Sequence, residues 1–406
     1  MSVVTRNALL LAAGLVFQSG MIQLAVALGT VTIVAVTGVE GILGLGPAVF
    51  LLAGAAAVGP AGRISDRFGR MPVIRTGFIL GTVGPVVTAA GCATESGPLV
   101  FAGLGLCGAA QSIVLLSRAA AAEMFEPSRR ARGMSIVLFG VVSGAIWGPL
   151  VFGPMFSGRE MTPHDLVVPW LAAGLFTLAG LAISFGVRPD PKELSKVWTT
   201  DEQEAQTAAP ARELLTRPGV PTAMLGAVAS FAVMVGVMNL AGYVAVGHHH
   251  AHGDIFTIIS VHIVGMYGLV LVVGDLVERI GRRRSIVLGL CVMALSNLAL
   301  VWLDGIAGMS LSRFGLGLGW NFAYVAATTE LVNLAEPSER GRLVGLSDLL
   351  SSGTGALLAL GGGVVYSQSG STALALAAAV LAFVPAIWVA GAPAAAALRL
   401  RLRPAG

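Results

Sequence analysis

Two copies of one motif set acids, arginines and glycines at a fixed spacing. Gly62, Asp66, Arg67, Gly69 and Arg70 make the first, and Gly274, Glu278, Arg279, Gly281 and Arg282 make the second, 212 positions later. An acid beside arginines suits a charge-assisted clasp, in which a guanidinium holds a carboxylate through paired hydrogen bonds. Partner acids come later in the sequence: Glu123 or Glu126 for Arg67 and Arg70, and Glu330 or Glu336 for Arg279 and Arg282. A second echo accompanies each copy. Glu126-Pro127-Ser128 with Arg130 and Arg132 recurs as Glu336-Pro337-Ser338 with Arg340 and Arg342, offset by 210. Two unrelated landmarks repeating at nearly one period imply a duplicated chain.

The elements that must position these residues are apolar. Of 406 residues, 55% are hydrophobic and 11% charged, with a mean hydropathy of +0.84. A soluble domain would carry roughly 25% charged residues, so most of this surface faces something other than water. The 54 glycines suit helices packing backbone to backbone in lipid. A bilayer core needs about 20 apolar residues per helix. Breaking the chain at its charged or Gly/Pro-rich points gives twelve spans: 8–37, 42–62, 72–93, 98–122, 133–156 and 168–187, then 219–246, 254–276, 285–303, 306–331, 343–366 and 371–392. The expected fold is an all-α membrane protein of twelve transmembrane helices in two pseudo-symmetric six-helix bundles, 1–187 and 219–406. A cytoplasmic linker over 188–218 holds the acidic run Asp201, Glu202 and Glu204.

Basic residues fix the orientation. Arg63, Arg67, Arg70 and Arg75, then Arg129, Arg130 and Arg132, the linker, Arg279 with Arg282 to Arg284, Arg340 with Arg342, and the tail arginines 399, 401 and 403 all fall on one side. The opposite loops hold essentially Arg159 alone. Both termini are expected in the cytoplasm of a bacterium, with the chain in its inner membrane. The apolar run after Arg6 is too long for a signal peptide and reads as a retained first helix. Cys92, Cys107 and Cys291 sit in apolar stretches with no CxxC spacing, which suits packing. The arginines form no aromatic-interleaved face, so no nucleic-acid role is read.

The repeated loop, the two six-helix sets and the charged centre resemble the major facilitator superfamily over nearly the whole chain. The resemblance implies a gate role for both loop motifs, with Glu123, Glu126, Arg130, Glu330, Glu336 and Arg340 as partners that shut the inner side when the protein faces outward. Fixing topology alone would not require the acid and glycines twice. Helix 5, with Gly144, Gly148-Pro149 and Gly153, resembles the glycine–proline motif of proton-driven drug antiporters, with one extra residue after Pro149. Arg313 with Gly317 and Gly319 is similar to a pattern usually carried in helix 4, where this chain has Phe101 or Gly103. Within the superfamily the chain resembles a bacterial subgroup with a histidine-rich outer segment before helix 8.

Helices 1, 4, 7 and 10 line the central path in that superfamily. Their polar residues are Gln18 and Gln23, then Gln111, then Asn239 and Tyr243, and finally Arg313, Trp320, Asn321, Tyr324 and Thr328. Arg313, Trp320, Tyr324 and Thr328 are spaced to share one helical face. Proton coupling needs a titratable group within the spans, and His262, Asp348 and Asp275 are the candidates. His248, His249, His250 and His252 with Asp254 could bind a metal, sense pH, or form a solvated loop. No nucleophile–base pair or cofactor loop is present, so neither an enzyme nor a cofactor is expected. The expectation is a secondary transporter of a small amphipathic organic solute, working as a monomer and favoured as a proton-coupled exporter. A metal carrier using the outer histidines and a non-transporting receptor on the same fold are the alternatives.

Overall fold

The computed structural model describes residues 2–126, 129–143, 146–155, 162–197, 210–247, 252–336 and 339–392. Apart from short turns and links those residues are helical, and the described part of each expected span lies in one or more helices. The first six are α1 (Val3–Thr37), α2 (Leu45–Phe68), α3 (Arg70–Ala93), α4 (Gly97–Val114, resuming as Ser117–Met124), α5 (Arg130–Ser143, resuming through Gly148–Phe152 and Gly153–Met155) and α6 (Val167–Ser184). The next four are α7 (Val220–Gly247), α8 (His252–Ile263, Val264–Gly268 and Val270–Ile280), α9 (Arg282–Ala299) and α10 (Ile306–Leu334). A last helix, Arg340–Gly391, is broken only at Gly370, whose φ of 77° lies outside helical space. That break falls where the sequence separates its last two spans, so the parts are α11 (340–369) and α12 (371–391).

Seven described helices are long and apolar enough to cross a membrane by themselves, one of them being the α11–α12 run. The shortfall from twelve has a local cause. α9 opens on Arg282-Arg283-Arg284, α10 carries Arg313 and Asn321, and α5 and α8 are interrupted. These helices are buried by neighbours rather than by their own apolarity. The chain is an integral multi-pass membrane protein.

Three irregularities shape the interior. α4 tightens after Val114: the N–H groups of Leu116, Arg118 and Ala119 bond carbonyls three residues back, a narrower turn that re-aims the rest of the helix. In α5, Pro149 lacks an N–H, and Gly153 bonds Gly148 in a wide π-type turn. α8 makes a similar turn over Val264–Gly268 and bends by 55° near it. There Gly265 lies so close to α10 that a Cβ would sit 2.4 Å from the Phe314 carbonyl oxygen.

The first and last six helices touch backbone to backbone at the end away from the arginine-rich loops. A Cβ on Gly44 would lie 2.0 Å from the Ala359 oxygen, and one on Gly242 would lie 2.1 Å from the Ala27 oxygen. Thr30 Oγ1 donates to the Asn239 carbonyl at 2.7 Å, Tyr243 donates to Glu40 at 2.8 Å, and Phe152 stacks on Phe256 at 5.7 Å. At the arginine-rich end, by contrast, Gly59 and Gly62 of α2 and Gly345 of α11 have no atom within 4 Å of an added Cβ.

Candidate functional site

The loop motif folds as its residue types require. Gly69 ends α2 at φ 100° and Gly281 ends α8 at φ 91°, a conformation that only glycine adopts without strain. Arg70 then forms the clasp. Its Nε and Nη2 donate to both oxygens of Glu123 at 2.9 Å, while Nη1 donates to Asp66 at 2.6 Å and Ser65 at 3.0 Å. The second copy is looser, with one contact from Arg282 to Glu330 at 3.0 Å.

Several expected gate members make other contacts in this structure. Arg67 stacks over the Phe68 ring at 5.2 Å rather than pairing with an acid. Glu126, Glu278 and Arg279 are exposed and form no ion pair among the described residues. Glu336 donates its backbone N–H to Glu339. Open space lies beside both Gly62 and Gly274. The side chains of Arg130, Arg340 and His252, and all of Pro127, Ser128, Gly144, Pro337, Ser338 and His248 to His250, lie outside the described residues. So do Arg159, the acidic run 201–204 and the tail arginines.

Two acids that the sequence reading passed over hold the connecting segment. Asp190 accepts from the N–H groups of Arg70 at 3.0 Å, Met71 at 2.9 Å and Lys192 at 2.9 Å, so it caps α3 across 120 residues. Nearly buried Glu339 takes both arms of Arg217, at 2.7 and 3.0 Å. These bonds raise the Arg217 pKa above the usual arginine value. Asp190→Ala would strand two N–H donors at the start of α3. We expect it to destabilise the protein by about 1–2 kcal/mol, lowering the apparent melting temperature in detergent, with Asp190→Asn recovering part. Equal melting of the wild type and the alanine variant would refute the cap.

Between the two sets lies an ion pair that the sequence reading saw only half of. Arg118, placed by the tightened turn of α4, donates to Asp348 of α11 at 3.3 Å, and each side chain is about one-third exposed. Tyr324 of α10 donates to the other Asp348 oxygen at 2.9 Å. Tyr324 lies parallel to Trp320 at 4.9 Å. Tyr267, presented by the wide turn of α8, meets Trp320 edge-on at 5.7 Å, and Phe231 of α7 tilts against Tyr324 at 5.9 Å. Trp320 is buried and its Nε1 has no partner. Arg118 was legible as a charge inside an apolar span, where an ionisable group calls for a partner or a cavity.

The other path candidates scatter. Arg313 is buried within the last six helices, beside a small cavity lined by α7, α9, α10 and α12 residues such as Asn297 and Leu374. His262 is also internal to that set, its Nδ1 2.8 Å from the Arg313 carbonyl oxygen. Gln18 is buried beside Gly81 and Thr177 within the first six helices, with neither amide atom partnered. Gln23 lies beside Gly148 of α5. The Gln111 Oε1 and both amide atoms of Asn321 lack partners, while Asn239 bonds back to Val235 in its own helix. Thr328 is half-buried, and Asp275 is exposed near the arginine-rich end. Among the described residues no three His, Cys, Asp or Glu side chains gather as a metal site.

Comparisons with known proteins agree with this architecture. The family profile described as Major Facilitator Superfamily matches residues 9–252 and again 223–405. The chain is 27% identical to the uncharacterised MFS-type transporter YddS of Bacillus subtilis (strain 168), over 85% of this chain and 81% of that one. It is 27% identical to the riboflavin transporter RfnT of Brucella anthropi, over 77% and 76% of the two chains. Among solved structures, a D-xylose–proton symporter superposes with a TM-score of 0.72 at 15% identity, covering 97% of this chain and 98% of the other. At that identity the likeness shows the fold alone.

Proposed function

The chain belongs to the Major Facilitator Superfamily, and from that premise we propose that it moves a small amphipathic organic solute across the bacterial inner membrane by proton-coupled alternating access. Secondary transport of small solutes follows from the family. The solute class, the coupling and the direction are our reading, as is the division into bundles 1–187 and 219–406 around the 188–218 linker. With both termini cytoplasmic, the touching ends of the two sets are the outer ends and the parted ends face inward. The loop clasps then lie within each set, as a released inner gate requires.

The observation that carries this reading is Asp348. It bridges Arg118 of one set and Tyr324 of the other, so its protonation would loosen contacts that differ between the two states of a rocking pair. Competition of solute and proton for Asp348 would give the export favoured from the sequence, whereas joint binding would give uptake. The permanent charge on Arg118 supports joint binding, and we propose uptake in place of export. Purified protein in liposomes should accumulate solute when a pH gradient, acidic on the outer side, is imposed. Accumulation unchanged after the gradient is collapsed would rule out the coupling, and exit of solute against the proton would restore export.

A further inference from the structure

Arg118 and Asp348 can be neutralised in only one way. A guanidinium stays charged at any physiological pH, whereas a carboxylate can take a proton. A cationic solute placed at Asp348 would always face Arg118. An anion placed at Arg118 faces Asp348 only until Asp348 is protonated. The pair therefore favours anions, and favours them in company with a proton.

The geometry of the pair leaves room for such an exchange. Arg70 holds Glu123 through two contacts at 2.9 Å, while Arg118 holds Asp348 through one at 3.3 Å. The remaining Arg118 donors form a fork suited to a carboxylate. Tyr324, which holds the other Asp348 oxygen, is stacked on Trp320, and Tyr267 meets Trp320 edge-on. The unpartnered Nε1 of buried Trp320 adds a donor that a ring heteroatom or a water would satisfy. α7 carries no Asp, Glu, Lys, Arg or His, α12 has none either, and the α2 charges begin only at Arg63.

We infer that Arg118, Asp348 and the Trp320–Tyr324–Tyr267 cluster form a binding site for a planar aromatic carboxylate, bound together with one proton. The carboxylate replaces Asp348 on the Arg118 fork, its ring packs against the aromatic cluster, and Asp348 gains one proton from water. No covalent bond changes apart from that O–H. This rests on the transport reading above and names its substrate class.

The test uses the full-length protein in detergent with four probes: 2-naphthoate, its methyl ester, 2-naphthylmethylamine and cyclohexanecarboxylate. Binding is read by isothermal calorimetry at pH 5.5 and 7.5. The expected result is binding of 2-naphthoate, tighter at pH 5.5, with each of the other three weaker by at least about tenfold. Arg118→Gln should lose binding by a similar factor. Asp348→Asn keeps the guanidinium and removes both the competing charge and the proton site, so its binding of 2-naphthoate should be the same at pH 5.5 and pH 7.5. This second variant decides the matter if Arg118→Gln fails to fold. Equal binding of the ester or amine, or an Asp348→Asn protein as pH-sensitive as the wild type, would overturn the inference. If no probe binds while some other solute accumulates in liposomes, the substrate class is wrong and the transport reading survives. If 2-naphthoate binds as expected but no solute responds to a pH gradient, the class is upheld and the coupling is lost.

Discussion

Gly242→Val is expected to hold the outer end of the protein open. The added Cβ would start 2.1 Å from the Ala27 carbonyl oxygen of the facing set, and a backbone atom cannot turn aside as a side chain can. Overpacking of this kind costs about 1–3 kcal/mol or more, which shifts the ratio of closed to open outer ends by roughly 5- to 150-fold. The contact joins the two sets rather than the interior of either, so the effect should fall on conformation more than on folding. Spin labels on exposed Val39 and Ser367 would report it as a longer distance, and solute uptake would fall with it. Gly62→Val should push the other way. Open space surrounds Gly62 here, so the new side chain obstructs only the counter-state in which the inner ends meet. Identical distance distributions in wild type and Gly242→Val would dismiss this account of closure.

Asp348→Asn is expected to abolish concentrative uptake. One proton per solute permits about 100-fold accumulation at a pH difference of 2, from the tenfold-per-1.4 kcal/mol relation. An amide cannot carry that proton, so the ratio should fall to about one. Arg118→Gln should also lose uptake, but for a different reason: it leaves the Asp348 carboxylate facing Tyr324 without a cation. Arg118→Gln/Asp348→Asn removes both charges, and its melting temperature should lie above that of Arg118→Gln alone. Persistent accumulation by Asp348→Asn would move the proton elsewhere. A double variant no more stable than Arg118→Gln would deny that the two residues depend on each other.

The features legible in the sequence came from period and composition. The loop motif carries its geometry with it. A glycine at positive φ, an arginine next to it and an acid four residues earlier give the Arg70–Asp66 contact directly, and Glu123 lies at the matching end of the next hairpin. Arg118 was missed although it stands as a charge inside the 98–122 span, because its partner Asp348 lies 230 residues away. Nothing in Leu115-Leu116-Ser117 announces a tightened turn. Asp348 and Tyr324 were each picked out, but their meeting depends on how α10 and α11 pack, which no spacing within one helix encodes. Arg313 is the opposite case, picked out by its spacing and buried among α7, α9, α10 and α12. Its regular offset from Trp320 and Tyr324 is real, yet a buried helix has neighbours on every side, and a shared face need not be the path. Asp190 was taken for part of a spacer, since a cap that acts across 120 residues leaves no local pattern.

The grips of Asp190 on α3 and of Arg217 on Glu339 fix where the two bodies stop and the leash between them begins. Its contour from 190 to 217 could reach about 90 Å if drawn straight, roughly three times the thickness of the bilayer core. Shortening it by a few residues beyond Lys196, or nicking it there, should leave turnover untouched, because the bilayer and the touching outer ends keep the two bodies in register.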